Sequence, residues 1–130
     1  MARILIVDDT EIIRRALDLA LRRMGHDTES TGCPLTALEL AVARPPDLAL
    51  LDVCMPGMDG VALLTEMRAA LGERCPSVVF ISAAPPEALD ESALANVAGY
   101  VKKPFLLDEL SRAVVEALSS RAHEGDRLPS

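Results

Sequence analysis

The chain has 130 residues, half of them apolar and a quarter charged, which fits one globular domain that buries a core without metal or disulfide staples. A formal net charge of −7 and an aromatic content of 2% exclude a nucleic-acid surface, which needs clustered Lys and Arg or stacking rings. Cys33, Cys54 and Cys75 are odd in number and lack C-x-x-C spacing, so neither a disulfide framework nor a zinc site is expected and a reducing compartment fits.

Residues 4–7 are a short apolar run that reads as a buried strand and ends at Asp8 and Asp9. Residues 10–24 have helical period: Ile13, Ala16, Leu17, Ala20 and Met24 share one face, Arg14, Arg15, Arg22 and Arg23 lie toward the other, and Gly25 is the stop. The polar stretch 27–31 is ambiguous and could be an edge strand. Residues 34–44 read as a helix opened by Pro34 and closed before Pro45-Pro46. Residues 48–51 are again a buried strand, ending at Asp52, and residues 61–71 a helix followed by Gly72. The strand at 77–81 ends at Ser82, and residues 86–96 form a weaker helix rich in alanine and acids. A short strand at 100–102 precedes Lys103-Pro104, and residues 106–120 form an amphipathic helix with Leu107, Leu110, Val114, Ala117 and Leu118 at helical spacing. The division expected is one domain over residues 1–120 and a flexible, polar C-terminal tail over 121–130.

Strands alternating with helices imply an α/β fold with a parallel sheet covered on both faces. Five such units fit a flavodoxin-like, doubly wound five-stranded sheet of order 2-1-3-4-5, flanked by five helices. In that order the ligand crevice lies at the carboxyl ends of strands 1 and 3, where the winding direction switches.

The chemically informative residues fall at those ends. Asp8 and Asp9 follow the first strand, Asp52 ends the third, Ser82 the fourth, and Lys103 follows the fifth. Three carboxylates near one point repel, each pair by roughly 4 kcal/mol at about 4 Å. A cation among them resolves the repulsion, and an all-oxygen donor set suits Mg²⁺ (or Mn²⁺). The plainer reading, that Asp8 or Asp9 caps the next helix, does not need two acids plus Asp52. A carboxylate can attack phosphorus to form an acyl phosphate, with Lys103 and Ser82 supplying an ammonium and a hydroxyl to the phosphoryl oxygens. The only two lysines, Lys102 and Lys103, are adjacent, and strand alternation lets one face the crevice; Lys103, beside proline, is the choice.

Four blocks in order then resemble the response-regulator receiver family, the fold of the chemotaxis regulator. They are Ile-Leu-Ile-Val-Asp-Asp, Leu-Leu-Asp-Val-Cys-Met-Pro-Gly-Met-Asp-Gly from Leu50 to Gly60, Phe-Ile-Ser-Ala from Phe80, and Gly-Tyr-Val-Lys-Lys-Pro-Phe from Gly99. The likeness covers residues 2 to about 120. It implies that Asp52 is the phosphoacceptor. Asp9 would ligate Mg²⁺ directly, Asp8 through water, and Cys54 through its backbone carbonyl. Ser82 and Lys103 would bind the phosphoryl group, Lys103-Pro104 would be a cis peptide, and Tyr100 would be the aromatic switch. Cys54 and Ala84 stand where the family tunes hydrolysis of the acyl phosphate, and neither side chain aligns water well, which implies a long-lived phosphoryl group. A second reading of Cys54 is a redox-sensitive thiol.

The resemblance further implies a histidine kinase or histidine phosphotransfer protein as donor and an unknown downstream protein target. Leu89, Leu94, Tyr100 and Phe105 are candidates for the output face on the fourth helix, fifth strand and fifth helix. Ile12 or Ile13 with Pro104 and Phe105 would form an apolar dock for the phosphohistidine donor. The expected protein is a phosphoacceptor signalling domain rather than an enzyme, a monomer or a phosphorylation-dependent dimer. It is read as cytoplasmic, with no bilayer-spanning run, no signal peptide and no direct nucleic-acid contact. Met1 and the length favour a stand-alone regulator, the alternative being the receiver portion of a longer regulator or hybrid histidine kinase. An aspartyl-nucleophile phosphatase fits less well, because Asp8-Asp9-Thr10 lacks the Asp-x-Asp spacing of that class. An unphosphorylated pseudo-receiver fits poorly with the intact acidic set.

Overall fold

The computed structural model describes residues 2–95 and 97–127. Five parallel strands, β1 (Arg3–Val7), β2 (Asp27–Thr31), β3 (Leu48–Asp52), β4 (Ser77–Ser82) and β5 (Gly99–Lys102), lie in the order β2-β1-β3-β4-β5. The helices are α1 (Glu11–Arg23), α2 (Pro34–Ala43), α3 (Gly60–Leu71), α4 (Glu91–Ala95) and α5 (Leu107–Arg127). This is the flavodoxin-like arrangement read from the sequence.

Two apolar layers sandwich the sheet, as period-two alternation requires. Leu5, Val7, Leu51 and Phe80 point to the side of α2 and α3, packing on Ala37, Ala41, Leu63 and Met67. Ile4, Ile6, Leu50 and Val79 point to the opposite side, packing on Leu17 and Leu21 of α1 and Leu110, Val114 and Ala117 of α5. Every residue of β3 is buried, so its run is apolar until Asp52. β2 bonds only to β1 and is an edge, which is why a polar sequence can form it.

Local signals set the ends. Gly25 and Gly72 take φ of 92° and 56°, a region that favours glycine, after α1 and α3. Pro34 opens α2, and Arg44 is extended before Pro45, as the residue ahead of a proline tends to be. The Asp59 carboxylate caps α3 by accepting from the Ala62 amide at 2.8 Å.

The structure differs from the sequence reading in three places, two of them with a physical cause in the side-chain pattern. On α1, Ala16 is exposed and Leu21 is buried instead, because the apolar stripe centres on Leu17 and Leu21. The helix expected at 86–96 is broken into a 3-10 turn, Pro86–Ala88, and the short α4, with extended Leu89 between them. Glu87 lies three and four residues from Asp90 and Glu91, so a continuous helix would stack like charges, and α4 has no buried residue to offset that. α5 runs to Arg127, past the end expected at Ser120. Met1, Asn96 at the close of the expected fourth helix, and residues 128–130 of the expected tail lie outside the described residues.

Candidate functional site

The winding direction reverses between β1 and β3, which leaves a crevice at their carboxyl ends. Asp8 continues β1, with its amide donating to the Thr31 carbonyl at 3.2 Å. Its side chain is almost fully buried, and Oδ1 accepts from the Thr10 amide at 2.9 Å. Oδ2 is buried without a neutral donor and faces the Lys103 ammonium at 2.7 Å. Asp52, the last residue of β3, is also buried; its Oδ1 accepts from the Cys54 amide at 3.2 Å and lies 3.6 Å from Lys103 Nζ. Asp9 is exposed at the mouth. One carboxylate oxygen from each of Asp8, Asp9 and Asp52 lies within 4.8 Å of the others.

The electrostatics follow from this crowding. Burial and then the Asp8 charge push the Asp52 carboxyl up to about 6, against the pull of Lys103 and the Cys54 amide. Burial works against the Lys103 ammonium, but its hydrogen bond to Asp8 and the charges of Asp8 and Asp52 outweigh it and hold the group above its ordinary range. The ammonium pairs with two of the three carboxylates, so the cluster keeps an excess of negative charge. Hard oxygen donors and a buried carboxylate oxygen lacking a neutral donor fit a hard divalent cation. No His or Cys side chain joins this cluster among the described residues.

The remaining residues sit beside it. Lys103 donates its amide to the Ser82 carbonyl at 2.7 Å, and the Lys103-Pro104 peptide is cis. Lys102 points away and is exposed, in keeping with strand alternation. Ser82 is fully buried, and its Oγ accepts from the Ala84 amide at 3.1 Å. Tyr100 is half-buried, and its hydroxyl donates to the Ala84 carbonyl at 2.5 Å. Ser82 and Tyr100 thus hold the two ends of one residue. Cys54 is exposed beside Asp52.

Two contacts escaped the sequence reading. Arg14 Nη1 donates to the Asp8 carbonyl at 2.6 Å. A Cβ on Gly60 would collide with the Asp52 carbonyl, so glycine lets α3 close against the end of β3. Arg14 carries a signal only as a cation one turn after the acidic pair, and Gly60 only as a glycine one residue inside a helix.

The sequence matches the family described as response regulator receiver domain over residues 4–115. It is 40% identical to regulatory protein AtoC of Escherichia coli over 89% of this chain and 25% of that protein. It is 31% identical to sporulation initiation phosphotransferase F of Bacillus subtilis over 93% of this chain and 97% of that protein. Among solved structures, NtrX of Brucella abortus superposes with a TM-score of 0.87 and 31% identity, over 96% of this chain and 29% of that one. The chain therefore spans a quarter of one curated relative and nearly all of another.

Proposed function

The chain belongs to the response regulator receiver family, and we propose that it accepts a phosphoryl group on Asp52 from a phosphohistidine donor and relays it as a conformational signal. One observation carries the reading: Lys103 Nζ stands 2.7 Å from Asp8 and 3.6 Å from Asp52, beside an acidic trio that fits a divalent cation. A bound Mg²⁺ (or Mn²⁺) supplies neutralisation of the charge that builds where carboxylate and phosphoryl oxygens meet.

The chain's own residues do the rest. An ionised Asp52 oxygen attacks phosphorus, the donor's P–N bond breaks, and the electron pair returns to the imidazole, which takes up a proton. Asp52, Asp9 and the Cys54 carbonyl would hold the divalent ion directly, and Asp8 through water. Lys103 turns its ammonium onto a phosphoryl oxygen and offsets its charge. Ser82 Oγ accepts one bond from Ala84 and keeps its own proton to donate to the phosphoryl group. That new bond competes with the Ser82–Ala84 contact, and Tyr100 reads the change through the Ala84 carbonyl. The signal then leaves by the face of α4, β5 and α5 toward a protein target.

The donor docks on Ile12, which is 78% exposed, with Pro104 and Phe105 at the mouth of the site. The phosphoacceptor unit extends over the matched residues 4–115, and α5 carries the chain on to Arg127. The protein acts in the cytoplasm as a signalling domain rather than an enzyme. In the described residues no helix is long and apolar enough to cross a membrane. The match to nearly the full length of one relative supports a stand-alone regulator. The match to a quarter of another supports the receiver part of a longer one.

The test is incubation with Mg²⁺ and a small acyl phosphate followed by intact mass. One added phosphoryl in the wild type, and none in Asp52→Asn, is the expected result. No gain with any donor, or retention of the gain in Asp52→Asn, would sink the reading.

A further inference from the structure

Asp8 is fixed from several directions: its amide by Thr31, Oδ1 by the Thr10 amide and Oδ2 by Lys103. Asp9 is exposed and follows it directly. The peptide plane joining the two is rigid, so the direction of the Asp8 carbonyl sets the start of the Asp9 backbone. That carbonyl is held by the Arg14 guanidinium, which reaches back from the first turn of α1 to 2.6 Å.

The path of the guanidinium runs over Gly32. A Cβ there would lie 2.6 Å from Arg14 Nη1 and 3.4 Å from the Asp8 carbonyl oxygen. The first distance is a collision, but with the far end of a flexible side chain. An alanine at 32 would therefore push Arg14 aside while leaving the backbone where it is.

We infer that Arg14 is a positioning residue, which clamps the Asp8-Asp9 peptide so that Asp9 faces the cation site, and that Gly32 is small in order to admit it. The inference rests on the phosphoacceptor reading above. It makes a prediction opposite in sign to charge alone. Deleting a cation near a dication site relieves repulsion and should tighten metal binding. Deleting a clamp on a metal ligand should weaken it, typically by about tenfold or more.

The experiment is titration of the protein with Mn²⁺, with free Mn²⁺ followed by electron paramagnetic resonance and folding checked by circular dichroism. Arg14→Ala is expected to bind about tenfold more weakly. Gly32→Ala is expected to follow it in the same direction, although it removes no charge and no hydrogen-bonding group. The double variant is expected to match Arg14→Ala within about twofold, because Gly32 acts only through the guanidinium. Affinity in Arg14→Ala that is unchanged or tighter would overturn the inference, as would a Gly32→Ala effect that persists without Arg14. If Arg14→Ala unfolds, Gly32→Ala decides alone: weaker binding supports the clamp and unchanged binding overturns it. A wild type that binds no Mn²⁺ would remove the metal reading and this inference together, whereas binding lost in Asp9→Ala but unaffected by Arg14→Ala would remove this inference only.

Discussion

Lys103 and Asp8 form an ion pair across the mouth of the sheet, Nζ to Oδ2 at 2.7 Å, with Asp8 almost fully buried and Lys103 only partly so. Removing one partner strands the other. Breaking a buried pair costs roughly 3–5 kcal/mol, and the solvent contact left to Lys103 places this one near the lower end, at about 3 kcal/mol. Lys103→Met is therefore expected to lower the midpoint of urea unfolding and to abolish transfer to Asp52. Lys103→Met combined with Asp8→Asn is expected to recover much of the stability and none of the transfer. A single variant as stable as wild type would show that the pair contributes nothing.

Asp52 makes both stability and reactivity depend on pH. Its carboxyl is raised in the folded chain from 3.8 to about 6, by burial and by Asp8. For an acid raised by folding, stability is fully present below the unfolded pKa and is lost as pH rises through the folded one. Without metal, the loss between pH 4 and pH 7 is about 3 kcal/mol from this group. Asp52→Asn should then raise the melting temperature of the metal-free protein at pH 7.5, by on the order of 10 °C. Mg²⁺ should stabilise the wild type more at pH 7.5 than at pH 5, since protons compete for the same oxygen. Acyl phosphate transfer should rise with pH through about 6 at low Mg²⁺. Calorimetry at the two pH values, with and without Mg²⁺, checks each sign.

Neither Cys54, two residues after Asp52, nor Ala84, two residues after Ser82, carries a side chain that can orient water. Cys54 is exposed and donates only its amide to Asp52, and Ala84 is engaged by its backbone at both ends. The phosphoryl group should therefore persist. An acidic or amide side chain at both positions should hasten its loss by on the order of ten- to a hundredfold, the scale on which positioning a nucleophile acts. Decay is followed by intact mass after the donor is removed. An unchanged half-life would show that water reaches the site without help from these positions.

The sheet and the acidic site were legible because strands here are marked by buried apolar runs that stop at a carboxylate or a hydroxyl. Leu48 to Leu51 ends in Asp52, and Val78 to Ile81 ends in Ser82, so the pattern names strand and site together. β2 was harder to read, since Asp27, Glu29 and Ser30 have no core to face and only pairing with β1 makes them a strand. The break before α4 was missed because helix propensity sums residue by residue, whereas the clash of Glu87 with Asp90 and Glu91 is a pair effect. Gly60 and Gly32 were missed for another reason. Their meaning lies in what a Cβ would strike, the Asp52 carbonyl and the Arg14 guanidinium, contacts that only the folded chain brings together.

Tyr100 offers the test of how the signal departs. Its hydroxyl donates to the Ala84 carbonyl, whose amide is bound in turn by buried Ser82. Tyr100→Phe deletes one partly buried hydrogen bond and leaves the ring, so stability should fall by only about 1 kcal/mol. Transfer to Asp52 should change by less than about twofold, because the ring hydroxyl touches neither carboxylate nor ammonium. What should change is the link between the site and the outer face. In the wild type, amide exchange in β5 and the start of α5 should respond to phosphorylation of Asp52. In Tyr100→Phe that response should shrink while phosphate incorporation stays. An undiminished response would mean that the signal bypasses Ala84, and a lost incorporation would mean that Tyr100 belongs to the chemistry rather than to its readout.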